Sequence, residues 1–338
     1  MLKKFELIRK WIKEYFSTCK PINKKYIEKD QLFLIIGHRG SPTKEIENTI
    51  QSYERALNDG ANSLEIDLCL TKDMEVVIWH DWNPNAPKAI LRESGFEPWV
   101  AYKPYLPSLI SPLRKRISEL TLQEFMENYD YKKRDGSSNP VKAVKLLLED
   151  FIRWSMDKEK LKYVFFDIKT PPEEGDLAPV ILKNLSGLIS KYSIKYKPVI
   201  ETFHSEVLRK MKKEFPDFYY SLDEEPNFGP ILSPWKFSGV RAAITHENEF
   251  AIAFRPRKVT IANWTTYRRI IRYDVKLRYR YNRKNPHLPI DYLIGGTVNK
   301  TKELSCLVKL GIGGIQTDFP HILKEILLKS NIYNKIST

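Results

Sequence analysis

The sequence predicts an α/β fold, a (β/α)8 barrel. Three observations lead there. Eight strand-like segments alternate with helical ones, the pattern of parallel βαβ units. The glycine-rich phosphate loop of open nucleotide-binding sheets is absent, which favours the barrel over a doubly wound sheet with the same alternation. Histidine, arginine, lysine and carboxylate side chains stand at or near the carboxyl ends of early strands, the end at which barrel enzymes build their sites. With 338 residues, 42% of them hydrophobic, the chain has length for one barrel of ~250 residues and its insertions.

The elements follow in order. Residues 2–17 form an amphipathic helix, with Leu2, Phe5, Ile8, Ile12, Tyr15 and Phe16 in one stripe and Trp11 beside it. Such a helix can cap a barrel floor or lie in a lipid headgroup layer. An apolar strand covers 32–37, a helix 49–58, a strand of alternating character 63–70 and a short β segment 75–79. Residues 83–116 mix Pro, aromatic and basic residues without a period and read as an insertion. Helices at 121–129 and 142–157 precede a strand at 163–169, a helix at 176–191 and a strand at 198–202. A helix at 204–214 leads to a strand at 219–222, and residues 224–257 read as a second insertion. The last elements are strand 258–262, helix 264–273, strand 292–297, helix 300–310 and strand 314–317. This gives an N-terminal helix and linker over 1–30 and one barrel domain over 31–330.

Lys and Arg number 56 against 42 Asp and Glu, a formal net charge of +14. That surface favours anionic partners. No zinc-finger spacing, basic heptads or RNA-binding aromatic signature is present, so nucleic acid is not expected. Cys19, Cys69 and Cys306 are odd in number and far apart. They suggest neither a disulfide framework nor a metal cluster, and a reducing compartment follows. No apolar run reaches the ~20 residues of a membrane span, and no secretory signal opens the chain. The expectation is a cytoplasmic protein, with peripheral contact to an anionic membrane as an option.

Chemistry concentrates in a few segments. Gly37-His38-Arg39-Gly40 directly follows the first strand. Glu65 and Asp67 lie two apart on the second strand and so share a face. Two carboxylates facing a barrel interior repel each other unless positive charge sits between them. A hard divalent cation, Mg²⁺ or Ca²⁺, supplies it through oxygen ligands. His80-Asp81 ends the next β segment, and Asp167 and Lys169 repeat the two-residue spacing. Taken singly these have plain structural explanations, from a hydrogen-bonding histidine to an ordinary ion pair. Their convergence points to a catalytic site.

His38-Arg39-Gly40, Glu47-Asn48-Thr49, Glu65-x-Asp67, Thr71-Lys72-Asp73 and His80-Asp81 resemble, in order, the signature of the glycerophosphodiester phosphodiesterase family. Asp167-Ile-Lys169, Thr297-Val-Asn299 and the run from Gly311 to Asp318 continue it, so the likeness spans about 32–326. The resemblance implies that His38 and His80 are the acid/base pair and that Glu65, Asp67 and Asp167 hold one divalent cation. It implies that Arg39 and Lys169 bind the phosphodiester, with Glu47, Asn48 and Asp81 as supports. The substrate it implies is a glycerophosphodiester or a lysophospholipid. Three positions depart from the pattern. Asp167 replaces the usual Glu, which shortens the ligand and favours the smaller Mg²⁺. Gly296 stands where a Trp usually walls the alcohol moiety, and Met74 replaces a turn glycine. The alternatives are a weakly catalytic headgroup-binding barrel and a sphingomyelinase D-like or phosphoinositide-cleaving phospholipase.

Overall fold

The computed structural model describes residues 19–135, 139–224, 241–246 and 257–333, with Glu6 and Arg9. The helix expected over 2–17 and most of the insertion expected over 224–257 lie outside the described residues. Two compact units divide the chain: residues 35–220 with 318–321, and residues 1–34 with 221–317 and 322–338.

In the unit built on residues 35–220, β1 (Leu34–Gly37) pairs in parallel with β2 (Ser63–Leu70). A short β3 (Val76–Ile78) runs antiparallel along the last residues of β2. β4 (Tyr102–Tyr105) and β5 (Asp130–Lys133) make a separate antiparallel pair. β6 (Tyr163–Ile168) lies parallel to β2, and β7 (Lys197–Thr202) parallel to β6. All eight residues of β2 are buried, as expected of a parallel strand covered on both faces. Leu64, Ile66 and Leu68 occupy one face, which leaves Glu65 and Asp67 on the other. Register places Asp67 opposite Asp167 and Asp167 opposite Glu201. Carboxylates from three neighbouring strands therefore stand in one row.

Local sequence explains the connecting elements. Thr49 caps the helix Ile50–Asn58, its side chain accepting from the Ser52 N–H. Met74 sits at φ 65°, a left-handed turn position that glycine fills at no steric cost. The segment 83–116 is not patternless: it holds the helix Pro87–Glu93, whose Pro lies in the first turn, and strand β4.

The other unit carries β8 (Tyr219–Glu224), β9 (Ala242–His246), β10 (Tyr292–Gly296) and β11 (Gly314–Thr317). β8 pairs with β9, β9 with β10 and β10 with β11, all parallel. The strand expected at 258–262 does not form. Those residues lie within a 28-residue helix, Arg257–Lys284, and β9 supplies the strand from inside the segment read as an insertion. Val259, Thr260 and Ile261 favour strands locally. Trp264, Tyr267, Ile271 and Val275 are buried at intervals of three and four, and that helical stripe decides the outcome.

The cysteines correct a second expectation. Cys19 and Cys306, 287 positions apart, form a disulfide. The Ile22 N–H donates to the Lys309 carbonyl at 3.0 Å, binding the segment that carries Cys19 to the end of helix Thr301–Lys309, which carries Cys306. Spacing along a chain does not limit pairing in space, so the inference of a reducing compartment loses its premise. Among the described residues no helix is long and apolar enough to cross a membrane. The eight parallel strands, four in each unit, are those of a (β/α)8 barrel.

Candidate active site

The turn after β1 is the most constrained backbone of the site. Arg39 adopts φ 50° and Gly40 φ 89°, and a Cβ on Gly40 would come within 2.4 Å of Ser52 Oγ. Only glycine fits there. Arg39 is a non-glycine residue in the left-handed region, a conformation held only where its surroundings dictate it. Its N–H donates to Glu65 Oε2 at 2.8 Å, and its carbonyl accepts from Ser52 Oγ at 2.9 Å and from the Asn48 N–H at 3.1 Å. Asn48, itself at φ 58°, donates through Nδ2 to Asp67 Oδ2 at 2.7 Å and accepts from Tyr53 Oη at 2.9 Å.

Below this turn lies the acid row. Ligand oxygens of Glu65, Asp67 and Asp167, all buried, lie within 4.8 Å of one another. Lys169 Nζ meets Asp67 Oδ1 at 2.8 Å and pairs with Asp167 Oδ2. Asp167 Oδ1 is buried without a hydrogen-bond partner. A buried carboxylate oxygen in that condition is costly unless it receives a cation, so the three acids fit a hard metal ion. Burial pushes the Glu65 carboxyl well above the usual range, and the Asp67 charge adds to this. Burial opposes the ionisation of Asp67 too, but Lys169 and Arg39 hold it well below that range. Burial opposes the charge on Lys169, and Asp167, Asp67 and Glu65 together keep the ammonium protonated.

A second charged cluster surrounds His80. Its Nδ1 lies 2.7 Å from Asp81 Oδ1 and 2.9 Å from Arg92 Nη1. Arg92, from the inserted helix Pro87–Glu93, also pairs with Asp81 Oδ2 and Glu47 Oε1 and donates through Nε to Glu97 Oε2 at 3.0 Å. Glu47 Oε2 and Glu97 Oε1 in turn face Arg39 Nη1, at 2.9 Å and 3.3 Å. Burial depresses the His80 pKa well below 6.5, and the charges of Arg39 and Arg92 depress it further. The Asp81 carboxyl is pushed up to about 6 by burial, which outweighs Arg92. His38 stands apart from this cluster, its Nδ1 2.8 Å from Asp318 Oδ1.

The model of the glycerophosphoryl diester phosphodiesterase family matches residues 38–322. The chain belongs to that family. With membership comes the enzyme class, a phosphoric diester hydrolase. A glycerophosphodiester phosphodiesterase of Caldanaerobacter subterraneus is 25% identical over 88% of this chain and 98% of its own length. A lysophospholipase D of Mus musculus is 26% identical over 56% of this chain and 52% of its own length. A solved structure from Silicibacter pomeroyi superposes with a TM-score of 0.64 at 16% identity, covering 92% of this chain and 98% of the other. An Oleispira antarctica phosphodiesterase, solved with the product sn-glycerol-3-phosphate, superposes at 0.56 with 15% identity over 88% and 96% of the chains. At such identities the structural likenesses establish the fold alone.

Every residue given a catalytic, metal-binding, phosphate-binding or supporting role from the sequence falls in the unit of residues 35–220. Glu65, Asp67 and Asp167 meet as one cluster with Lys169, Arg39 and Asn48 against it. His80, Asp81 and Glu47 meet around Arg92. The two histidines have different carboxylate partners, Asp318 and Asp81. Sequence reasoning missed Arg92, Glu97 and Glu201, and it placed Asp318 in the family motif without giving it a role. Glu201 had a signal, since it occupies on β7 the register position that Asp167 occupies on β6. Arg92 had none: its helix buries Ala89 and Arg92 and leaves Ile90 half-exposed, the reverse of an apolar stripe.

Proposed function

We propose that this chain hydrolyses glycerophosphodiesters, lysophospholipids among them, to an alcohol and a phosphomonoester, using one divalent cation and the His38/His80 pair. The observation that carries the reading is the buried triad Glu65–Asp67–Asp167 with Arg39 and Lys169 beside it. Those carboxylates would hold the ion, Mg²⁺ or Ca²⁺, which supplies Lewis-acid stabilisation of the charge on the phosphoryl oxygens. Arg39 and Lys169 carry fixed positive charge for the phosphodiester anion. Glu47, Asn48 and Asp81 orient these groups.

The two imidazoles divide the proton work. Hydrolysis breaks one P–O bond: a water oxygen joins phosphorus, its proton leaves, and the departing alkoxide takes one up. His80 is held neutral by burial and by the nearby guanidinium charges, the form a general base requires. His38 faces the Asp318 carboxylate at 2.8 Å, a partner that orients its ring. His80 is thus the base and His38 the acid.

Phe96 and Trp99, each 44% exposed, flank Glu97 on the segment that reaches Arg39. Aromatic side chains at such a position suit an acyl-bearing substrate at a lipid–water boundary, and one relative carries the name lysophospholipase D. The amphipathic sequence pattern of residues 2–17 would offer a further contact for an anionic membrane surface. Product analysis with glycerophosphocholine and a lysophosphatidylcholine, in Mg²⁺ and in Ca²⁺, tests the whole reading. Release of choline from both, abolished by chelation, is expected. No release from either with either ion refutes it, and a tenfold or greater preference for the water-soluble compound, ~1.4 kcal/mol, refutes the lipid part.

A further inference from the structure

We infer that Arg92, delivered by the inserted helix Pro87–Glu93, is a positioning residue that aims both His80 and Arg39. The inference rests on the phosphodiesterase reading above and adds to it a group from outside the strands. Arg92 is buried and its guanidinium works as a hub: Nη1 on Asp81, Nη2 on Glu47 and Nε on Glu97. Two of these carboxylates use their second oxygen on Arg39 Nη1, at 2.9 Å and 3.3 Å. The two guanidiniums are therefore joined by a double carboxylate bridge. A planar fork holds such bridges in a fixed geometry that a lysine ammonium cannot reproduce.

The link to His80 concerns which ring nitrogen carries the proton. Arg92 Nη1 at 2.9 Å and Asp81 Oδ1 at 2.7 Å both address Nδ1. One imidazole nitrogen cannot accept from the first and donate to the second at once. Arg92 Nη1 has Asp81 Oδ2 to donate to, whereas Asp81 Oδ1 needs a donor. Nδ1 therefore carries the proton, and Nε2 is left with its lone pair free to take a proton from water. Arg92 fixes Asp81, Asp81 fixes the tautomer, and the tautomer makes His80 a base. A merely structural ion pair would stabilise the fold without selecting a ring nitrogen.

The test uses the full chain with Arg92→Ala and Arg92→Lys, assayed on an aryl phosphodiester with Mg²⁺ alongside circular dichroism. Loss of aim is expected to lower kcat of folded Arg92→Ala on the order of 10²-fold. Millimolar guanidinium should restore a good part of it, and should do nothing for His80→Ala. Undiminished kcat in folded Arg92→Ala, or a loss that guanidinium leaves unchanged, overturns the inference. Nitrogen chemical shifts of His80 in histidine-labelled protein provide a readout that needs no turnover and no alanine variant. Wild type should show a protonated Nδ1, and Arg92→Lys should shift the proton toward Nε2; identical spectra overturn the inference. If wild type hydrolyses no phosphodiester, the phosphodiesterase reading fails, while these spectra still decide whether Arg92 governs His80.

Discussion

Both units build four parallel strands, yet they bury different side chains. In the unit of residues 35–220, β2, β6 and β7 bury Glu65, Asp67, Asp167 and Glu201, and the loops add buried Arg39, His80, Asp81 and Arg92. In the other unit β9 to β11 bury mainly Ala242, Ala243, Ile244, Leu293, Ile294 and Ile315, and Cys19 is tied to Cys306. Ionised groups taken out of water rarely repay their desolvation by pairing. A fold that concentrates so many in one unit gives up stability there for a preorganised electrostatic site. The other unit also buries charged side chains, Asp223, Arg268, Asp274, Arg278 and Glu303 among them, but none of the residues assigned to the site. Substitutions in the first should therefore act on turnover, and those in the second on stability.

The largest effect is expected at Asp67. It takes the Asn48 amide at 2.7 Å, the Lys169 ammonium at 2.8 Å and Arg39 Nε at 3.4 Å, besides being one of the proposed cation ligands. Asp67→Asn keeps the shape and removes the charge. Several kcal/mol of transition-state stabilisation should go with it, on the order of 10³-fold in kcat, with the circular dichroism spectrum retained. A folded variant with kcat within tenfold of wild type would falsify the assignment. Chelation should also lower Tm, because an ion bound only by the native state stabilises it.

Next come the histidines. His38→Ala and His80→Ala should each lower kcat on the order of 10²-fold or more with an alkyl leaving group. An activated aryl leaving group needs no proton, so it should rescue His38→Ala and leave His80→Ala impaired. Rescue of His80→Ala in its place would exchange the two roles, and negligible losses in both would move the chemistry elsewhere.

A smaller, tenfold-scale effect is expected from pH. As pH falls through about 6 Asp81 takes up a proton and becomes a poor acceptor for His80 Nδ1–H, so kcat/KM should fall. Asp81→Asn should remove that limb. Stability should not follow the same curve. The Asp81 pKa is raised in the folded protein, so its burial penalty relaxes as pH drops from about 6 toward 3.8. His80 works the other way: its folded pKa is depressed, its share of stability is complete above 6.5, and that share is lost as pH falls below. Melting curves that track the activity limb would show unfolding and not loss of the acceptor.

How much was legible follows the same division. β2 and β6 could be read because charged residues alternate with Leu64, Ile66 and Leu68, and with Phe166 and Ile168; a period of two survives any tertiary context. The triad was legible for the same reason. The Arg92–Glu97 cluster was not, because it depends on a loop and a short helix whose buried face is polar. β9 was obscured by Ala242 and Ala243, weak strand formers, next to the β-branched Val259-Thr260-Ile261 that a long helix absorbs. The disulfide was hidden because its partners meet through tertiary structure.

The smallest effect on turnover, and the sharpest check on the comparison, is expected from that disulfide. Cys306 is buried on the helix Thr301–Lys309, close to Leu304, Leu307 and Val308 in the core, and none of the site residues shares its unit. Cys306→Ser removes a crosslink between positions 287 apart. Closing so long a loop restricts the unfolded chain strongly, and loss of a native disulfide typically costs about 2–4 kcal/mol. For a chain of this size that is a fall in Tm of several degrees, readable by calorimetry under non-reducing conditions. With the fold intact at assay temperature, kcat and KM should match wild type. Wild type treated with a reductant should melt like the variant, which separates the bond from the packing of the sulfur atom. A tenfold drop in kcat at unchanged Tm would mean that this unit tunes the chemistry after all, and the division of labour drawn above would fail.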